Sequence, residues 1–267
     1  MSEPAAAVPV VRDYPESRVV IAGGTSGVGL ASALEFVTAG VRRLVLLGRN
    51  PERGEAARQQ VACSCPDAQV HFIPVDAEDH AQAQAAIEQA HDVLGRIDVL
   101  VNSTTAGYRP ELLHRIPLAD VGGILTRQAL PPLFLTRAVL PIMRAQHGGS
   151  IVNIASDAAK VTTPGESVLG AAMAAIVMFS RTAAIEAKRD GIRVNVLTPS
   201  LIAGTITAEG VLSEGFSKRL FEKAATMAHL GVCEPEDLAH VVVFLSGPGA
   251  ARLTGQAISV NGGISAA

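Results

Sequence analysis

Short apolar runs alternate with longer stretches of helical spacing from residue 18 to the end of the chain. Seven runs are rich in Val, Ile and Leu with little polar alternation, as expected for strands that are buried on both faces of a sheet. These runs fall at residues 18–22, 44–47, 70–74, 97–101, 151–154, 193–197 and 257–260. The pattern therefore predicts a parallel sheet of seven strands.

The stretches between the strands predict helices, because their apolar residues recur every three or four positions. Asn50, Pro51 and Glu52 suit a helix N-terminus, and Gly40 suits the C-terminal cap of the first helix. The predicted helices cover residues 28–39, 50–61, 79–94, 118–146, 168–189 and 234–246. Parallel strands joined by right-handed helical crossovers give a Rossmann-type, doubly wound sheet in a three-layer α/β/α arrangement.

Domain organisation follows from the continuity of this pattern. No linker, repeat or low-complexity stretch interrupts residues 17–267, so we expect one domain there. Residues 1–16 are rich in Ala, Pro and Val and lack the features of a signal peptide, and we expect a flexible tail.

Composition narrows the classes of protein that the chain can belong to. Hydrophobic residues make up 48% and charged residues 18%, which is enough apolar material for a large core. The net charge of -3 and the absence of a basic run argue against nucleic acid and anionic membrane partners. No uncharged apolar run is long enough for a membrane span, so we expect a cytoplasmic protein. Cys63, Cys65 and Cys233 form neither a disulfide framework nor a metal-ligand set.

A glycine-rich turn lies between the first strand and the first helix. Residues 22–29 read Ala-Gly-Gly-Thr-Ser-Gly-Val-Gly. Such glycines allow a tight turn, a close approach of backbone to a pyrophosphate, and close packing of helix on strand. The helix N-terminus adds free N–H groups that favour phosphate. We expect a dinucleotide to bind here, with contacts from Gly23, Thr25, Ser26, Gly27, Val28 and Gly29.

Two further positions bear on the identity of the dinucleotide. Arg49 follows the second strand, where NAD sites usually carry an acidic residue, and a cation suits the 2′-phosphate of NADP(H). NAD(H) remains possible if Arg49 is only a solvated surface residue. Asp76 and Ala77 follow the third strand, and Asp76 is placed to contact the adenine ring.

The glycine spacing resembles the Gly-x-x-x-Gly-x-Gly turn of short-chain dehydrogenases/reductases. Further motifs agree, namely Asp-Val-Leu-Val-Asn at 98–102, Gly-Ser-Ile-Val-Asn-Ile at 149–154, Gly-Ile-Arg-Val-Asn at 191–195 with Pro199, Leu-Thr-Gly-Gln at 253–256 and Val-Asn-Gly-Gly at 260–263. The resemblance covers residues 17–263. It implies that Asn102 and Pro199 contribute to the cofactor site.

The resemblance also implies a catalytic group of Asn, Ser, Tyr and Lys, in which Tyr exchanges the proton on the substrate oxygen and Lys lowers the Tyr pKa. Ser156 falls on the Ser position, but Gln128 falls on the Asn position. Leu169 and Met173 occupy the Tyr and Lys positions. Neither side chain can exchange a proton, and loss of a positioned acid or base costs ~10²–10⁴-fold in rate.

Other polar side chains could replace the missing acid. Tyr108 follows the Asn102 loop and Lys160 lies four residues after Ser156, so a displaced Tyr108–Lys160 pair is one candidate. A pocket-wall tyrosine and a solvated lysine are the alternative. The remaining polar candidates, each also consistent with a structural or surface role, are Asp157, Glu166, His114 and His147.

Residues 153–158, Asn-Ile-Ala-Ser-Asp-Ala, with Gly165 and Glu166, resemble hydroxyacyl-CoA dehydrogenases of aromatic and alicyclic acid breakdown. Heteromeric enzymes of this kind pair an active subunit with a paralogue that has lost its catalytic residues. Family members usually associate through the helices predicted at 118–146 and 168–189.

Three hypotheses follow from these observations. The first is a noncatalytic subunit, paired with an active paralogue or with itself, whose cofactor site holds NADP(H) or stays empty. The second is an NADP(H)-dependent oxidoreductase with a relocated acid. The third is a non-redox enzyme such as a cyclase, dehydratase or lyase, which would use Ser156, Asp157 or Glu166.

Overall fold

A single parallel sheet of seven strands forms the centre of the protein. The computed structural model describes residues 9–205 and 215–267, the side chains of 215–217 excepted. The strands are β1 (Arg18–Ala22), β2 (Arg43–Gly48), β3 (Gln69–Pro74), β4 (Val99–Asn102), β5 (Gly149–Ile154), β6 (Ile192–Pro199) and β7 (Ala257–Val260). Their order is β3-β2-β1-β4-β5-β6-β7, which confirms the predicted doubly wound sheet.

Seven helices cover the sheet within the described residues. They are α1 (Gly27–Thr38), α2 (Pro51–Ser64), α3 (His80–Leu94), α4 (Leu118–Ala145), α5 (Ser167–Ala187), α6 (Gly215–Met227) and α7 (Pro235–Ser246). Six match the predicted helices within a few residues. The sequence analysis placed no element at α6.

The core has two halves because strand side chains alternate between the faces of the sheet. In β1, Val20 and Ala22 pack with α3, α4 and α5, whereas Val19 and Ile21 pack with α1, α2 and α7. All four side chains are almost completely buried. The strand order runs from β1 through β2 to β3 on one side of the sheet and continues with β4 on the other side of β1. At such a reversal, ligands of open α/β sheets bind in the crevice outside the carboxyl ends of the strands, here β1 and β4.

Part of the expected N-terminal tail is held against this domain. Arg12 forms an ion pair with Asp98 at 3.0 Å, and the Tyr14 hydroxyl donates to the Val243 carbonyl at 3.1 Å. Val10 donates its backbone N–H to the His147 carbonyl. Residues 9–16 thus close the amino-end edge of the sheet, and residues 1–8 of the tail lie outside the described range.

Helix α5 meets a length and composition test for a membrane span over Ser167–Asp190, with a mean hydropathy of 1.8. The sequence analysis predicted no such segment. Core helices of folded domains pass the same test, and α5 buries Ala172, Met173 and Ile176 against the sheet and α4. Its apolar character is accounted for by packing within the domain.

Candidate functional site

The glycine turn joins β1 to α1 at the carboxyl edge of the sheet. Gly23 has φ of +74°, and a Cβ there would lie 2.3 Å from the Ser103 carbonyl oxygen. A Cβ on Gly29 would lie 2.2 Å from the Gly23 carbonyl oxygen. Only glycine fits these two positions, because the β4–α4 loop and the first turn of α1 approach the backbone so closely.

Gly27 is different, because the described residues do not fill the space beside it. Its φ is +49°, and the nearest described atom to a Cβ would be the Thr205 methyl at 3.5 Å. Ser26 caps α1 without using its side chain, so the hydroxyl does not occupy the N–H groups of the first turn. This open backbone cradle with free donors fits the pyrophosphate of a dinucleotide.

The β2 end of the crevice carries a charge of each sign. Arg49 is exposed and lies 3.5 Å from the Glu78 carboxylate. Asp76, expected at the adenine ring, accepts the backbone N–H of Glu78 through Oδ1 at 3.1 Å. The turn of residues 76–79, which includes Ala77, thereby presents Glu78 to Arg49. The sequence analysis missed Glu78. Glu78 lies close to Arg49 because β2 pairs with β3, and these two residues follow the ends of those strands.

Asn102 is buried at the end of β4 and ties the centre of the site together. Its Nδ2 donates to Asn153 Oδ1 at 2.7 Å and to Thr136 Oγ1 at 3.2 Å, and Asn153 Nδ2 donates to Ser180 Oγ at 2.8 Å. The amide of Asn102 thus links β4 to β5 and α4. Its role in the described structure is to fix the floor of the crevice.

Two buried polar atoms at this place lack a partner among the described residues: Asn102 Oδ1 and Thr104 Oγ1. Buried polar atoms usually have a hydrogen-bond partner, so unpaired ones beside a crevice favour a missing ligand or water. Residues 102–105, Asn-Ser-Thr-Thr, stand where short-chain dehydrogenases/reductases have Asn-Asn-Ala-Gly, so Thr104 places a hydroxyl where the motif has Ala. Together with the cradle at Gly27, these atoms fit a bound nicotinamide dinucleotide, whose chemistry is hydride transfer.

Ser156 lies just after β5, at the expected catalytic end of the crevice. Its Oγ accepts the backbone N–H of Ala158 at 3.3 Å, which caps a short 3₁₀ turn. A Cβ on Gly170 would lie 2.7 Å from the Ala158 carbonyl oxygen, so α5 packs tightly on this turn. The close contact fixes the register of α5 beside Ser156.

Leu169 and Met173 occupy the face of α5 that lies against this region. Met173 is buried in an apolar cluster with Ala155 and Val196, and Leu169 packs on the same cluster. The predicted pair of positions is thus brought next to Ser156 by packing. Neither thioether nor isobutyl group supplies a proton donor or a cation.

Gln128, at the predicted Asn position, is buried in α4. Its Nε2 donates to the Ala106 carbonyl at 2.7 Å, and its Oε1 accepts the Ala106 N–H at 3.4 Å. The side chain therefore pins the β4–α4 loop to α4. Both ends of the amide are used for this purpose.

Tyr108 is the only phenol available to the site. The chain has two tyrosines, and Tyr14 belongs to the N-terminal segment at the other edge of the sheet. The Tyr108 hydroxyl donates to the Gly165 carbonyl at 2.7 Å. Burial, followed by the nearby Glu166 carboxylate, raises the Tyr108 pKa above its usual value.

Lys160 does not share partners with Tyr108. Its Nζ donates to Ser259 Oγ and to the Ala267 carbonyl oxygen, both at 2.6 Å, on the side of β7. The structure therefore gives the candidate pair separate contacts, Tyr108 on the loop before α5 and Lys160 on the C-terminal segment. Each is accounted for by a local structural role.

Asp157 also serves the C-terminal segment. Its Oδ2 accepts from Asn261 Nδ2 and from the Ser265 hydroxyl, both at 2.6 Å, and it is buried. These bonds occupy the carboxylate. The two histidine candidates lie elsewhere: His114 is exposed in a 3₁₀ turn, and the His147 backbone accepts from Val10.

Glu166 is the candidate whose carboxylate remains available. It stands at the N-terminus of α5, half-buried, and no hydrogen bond to its carboxylate occurs among the described residues. Burial raises the pKa of Glu166 to about 7. A carboxyl group with this pKa next to Tyr108 can give or take a proton near neutral pH.

No group of three or more His, Cys, Asp or Glu side chains in the described ranges is arranged to hold a metal ion.

Comparison with known proteins decides the family. A family model described as enoyl-(acyl carrier protein) reductase matches residues 22–265. The chain belongs to the short-chain dehydrogenase/reductase family. It is 31% identical to the short-chain dehydrogenase srdC of Neurospora crassa, covering 90% of this chain and 94% of that protein.

Other relatives within this family are oxidoreductases. The chain is 30% identical to the 3-oxoacyl-[acyl-carrier-protein] reductase FabG of Chlamydia pneumoniae, over 92% of this chain and 96% of that one. It is 30% identical to the meso-2,3-butanediol dehydrogenase of Serratia marcescens, over 93% and 94%. The crystal structure of levodione reductase superposes with a TM-score of 0.87 at 27% identity, covering 92% of this chain and 96% of that one. These relatives imply NAD(P)(H) binding in general.

Proposed function

We propose that this chain is a noncatalytic member of the short-chain dehydrogenase/reductase family that works as one subunit of a heteromeric oxidoreductase. The observation that carries the proposal is that buried Met173 and partly buried Leu169 pack on an apolar cluster with Ala155, the residue before Ser156. Hydride transfer to a carbonyl needs a proton donor at the substrate oxygen, and this apolar pair supplies none. Ser156 alone can only orient an oxygen.

The proposed substrate of the assembly is a hydroxyacyl-CoA. The support is the resemblance of residues 153–158, with Gly165 and Glu166, to hydroxyacyl-CoA dehydrogenases. The arrangement would be like that of 2-[hydroxy(phenyl)methyl]-succinyl-CoA dehydrogenase, in which one subunit has lost its catalytic residues. A cytoplasmic location suits such an enzyme.

The proposal includes a filled dinucleotide site. Its support is the open cradle at Gly27 and the unpaired Thr104 hydroxyl. Arg49 favours NADP(H), because a guanidinium can bind the 2′-phosphate in two hydrogen bonds. Glu78, 3.5 Å from Arg49, opposes that preference, since a carboxylate repels phosphate and suits the ribose hydroxyls of NAD(H). NADP(H) is the primary expectation and NAD(H) the alternative.

The proposed partner is an active paralogue that docks on α4 and α5. Met178 and Ile185 on α5 expose 61% and 60% of their surface, and Leu125 on α4 exposes 37%. Exposed large apolar side chains on neighbouring helices are typical of a covered face. A second copy of this chain is the alternative occupant of the same face.

Co-purification tests this assembly. The chain and a relative with an intact Tyr-x-x-x-Lys motif are expressed together, and the complex is expected to form and to turn over a hydroxyacyl-CoA. Met178→Asp is expected to abolish the complex, because it buries a charge at the contact. Val93→Asp, on the exposed Val93 of α3, is the control and is expected to leave the complex intact. Full activity of the purified chain alone would refute the proposal.

A second candidate function is acid–base catalysis without hydride transfer, and Glu166 favours it. Its carboxyl group, with a pKa of about 7, lies near the phenol of Tyr108. Such a pair suits a dehydratase or lyase, which needs a proton exchanged near neutral pH. Product formed without any nicotinamide, and lost in Glu166→Gln, would establish this function. If turnover instead requires NADPH and is lost in Tyr108→Phe, a redox enzyme with a relocated acid is supported.

A further inference from the structure

A cleft of about 400 Å³ opens at the amino-end edge of the sheet, on the side away from the glycine turn. Arg18 begins β1 and Arg43 begins β2, whereas the glycine turn follows the carboxyl end of β1. Five of the residues that line the cleft are arginines: Arg12, Arg18, Arg42, Arg43 and Arg96. We call this feature the basic cleft.

Three of the five arginines of the basic cleft, Arg18, Arg42 and Arg43, have no ion pair among the described residues. Asp98 forms ion pairs with Arg12 at 3.0 Å and with Arg96 at 2.9 Å. Its Oδ2 also accepts the backbone N–H of Arg18. Its oxygens are therefore occupied. Among the described lining residues, Glu16 is the only one with a carboxylate. This concentration of cations stands out in a chain whose net charge is -3.

Arg18 and Arg43 are direct register partners on neighbouring strands. Like charges opposite each other in a sheet are destabilising. Burial, and then the charges of Arg96 and Arg43, lower the pKa of Arg18 below its usual value. An anion between these guanidinium groups would relieve the repulsion.

Four of the five arginines, all except Arg43, are held by hydrogen bonds or ion pairs and still keep donors to spare. Arg42 uses Nη1 for the Val37 and Val41 carbonyls at 3.0 Å, and Arg12 uses Nε for Asp98. A guanidinium has five N–H donors, so most remain open for a ligand. Arg43 is exposed and has no hydrogen bond or ion pair within the described residues. Side chains that are already anchored, such as those of Arg12 and Arg42, lose little conformational entropy when a ligand binds.

We propose that the basic cleft is a second ligand site, which binds the phosphate groups of a small polyphosphorylated compound of nucleoside diphosphate size. Its volume lies in the range of small-molecule sites. Its cations converge in a pocket, whereas a stripe of cations across a wide surface is expected for duplex nucleic acid. The site is separate from the dinucleotide turn, because the two lie at opposite edges of one sheet.

Calorimetric titration with inorganic pyrophosphate and with ADP tests the proposal. The two ends of β2 offer a matched pair of exposed arginines, Arg43 at the basic cleft and Arg49 at the dinucleotide turn. Arg43→Gln is expected to weaken pyrophosphate and ADP binding by about tenfold or more, since it removes charge-assisted hydrogen bonds. Arg43→Lys, which keeps the charge, is expected to lose less. Arg115→Gln, on an exposed arginine that does not line the cleft, is the control and is expected to leave pyrophosphate affinity unchanged.

The opposite pattern would overturn the proposal. If Arg49→Gln weakens pyrophosphate binding and Arg43→Gln does not, the anion binds only at the dinucleotide turn. Absence of pyrophosphate and ADP binding by the unaltered protein at low salt would also reject the cleft as a site. Tight binding of duplex DNA that is lost in Arg43→Gln would replace the small ligand with nucleic acid. The melting temperature of each variant shows that it is folded.

Discussion

At the scale of single residues, the glycines of the β1–α1 turn have separable duties. Gly23 and Gly29 are required by the protein's own backbone, since a Cβ would lie 2.3 and 2.2 Å from carbonyl oxygens. Gly27 meets only a methyl group at 3.5 Å. A side chain at position 27 is therefore expected to disturb the fold little but to occupy the space of a bound pyrophosphate.

Gly27→Ala is expected to reduce NADPH affinity by about tenfold or more, because the added methyl group occupies the cradle. The loss of stability should stay near the ~1–2 kcal/mol of a left-handed alanine. Fluorescence titration with NADPH and urea unfolding measure the two effects. Gly231→Ala is the control: its φ is +101° with no described atom within 4 Å, and it should lose stability but keep NADPH affinity. Unchanged NADPH affinity in Gly27→Ala would contradict the cofactor assignment.

Glu166 gives a second prediction at this scale. Its pKa rises on folding from 4.5 to about 7, so the folded state holds the proton more tightly than the unfolded state does. Stability from this group is present at acid pH and is lost as the pH rises from about 4.5 to about 7. Glu166→Gln should therefore raise the free energy of unfolding at pH 8 by roughly 1–3 kcal/mol and change it little at pH 4.5.

Urea unfolding at both pH values checks the Glu166 prediction. Glu186→Gln, on the exposed side of the same helix, should show no such pH-dependent gain. Equal effects of Glu166→Gln at the two pH values would mean that the carboxyl group titrates normally.

The sequence identified the residues whose structural roles depend on their neighbours in the chain. Asn50 caps α2 and Gly27 opens α1 because these roles depend on neighbours in the chain. The partners of Arg49 and Lys160 could not be found in this way. Glu78 lies 29 residues from Arg49, and Ser259 lies 99 from Lys160, so the sheet pairing decides both contacts.

At the scale of elements, the C-terminus of α7 depends on a buried arginine of β6. Arg193 donates to the Leu245, Ser246 and Gly247 carbonyls at 2.6, 3.2 and 3.4 Å. The last carbonyls of a helix lack intrahelical partners and favour a cation. Burial lowers the Arg193 pKa to about 10, so the group stays charged at neutral pH.

Arg193→Met is expected to lower the free energy of unfolding by about 2–4 kcal/mol, because buried carbonyls lose their donors. Arg193→Lys should fall between, since it keeps the charge and loses the fork of donors. The exposed Arg189→Met serves as control and should lie within ~0.5 kcal/mol of the unaltered protein. Urea unfolding measures all three. If Arg193→Met lowers the free energy of unfolding no more than the control does, Arg193 does not cap α7.

Element prediction succeeded where apolar periodicity is strong and failed at α6. Apolar residues recur there at positions 216, 220, 221, 224 and 227, which is a helical spacing that the sequence analysis did not recognise. Helices α1 and α3 to α5, in contrast, bury a full apolar stripe against the sheet.

At the scale of the whole molecule, the chain has the fold of its oxidoreductase relatives, and we propose that it lacks the group that moves the proton. The seven-stranded, doubly wound parallel sheet follows from general rules for parallel sheets, and the sequence predicted it. The availability of Glu166 and the basic cleft did not follow from those rules. Both arise from side chains that converge from distant segments.

The most direct measurement follows NADPH binding and hydride transfer on the same purified chain, with hydroxyacyl-CoA and 3-oxoacyl-CoA substrates, alone and with an active paralogue. The account predicts saturable NADPH binding by the chain alone, with turnover ~10²–10⁴-fold below that of the intact relative. Turnover by the chain alone at the rate of the relative, lost in Tyr108→Phe or Glu166→Gln, would contradict it.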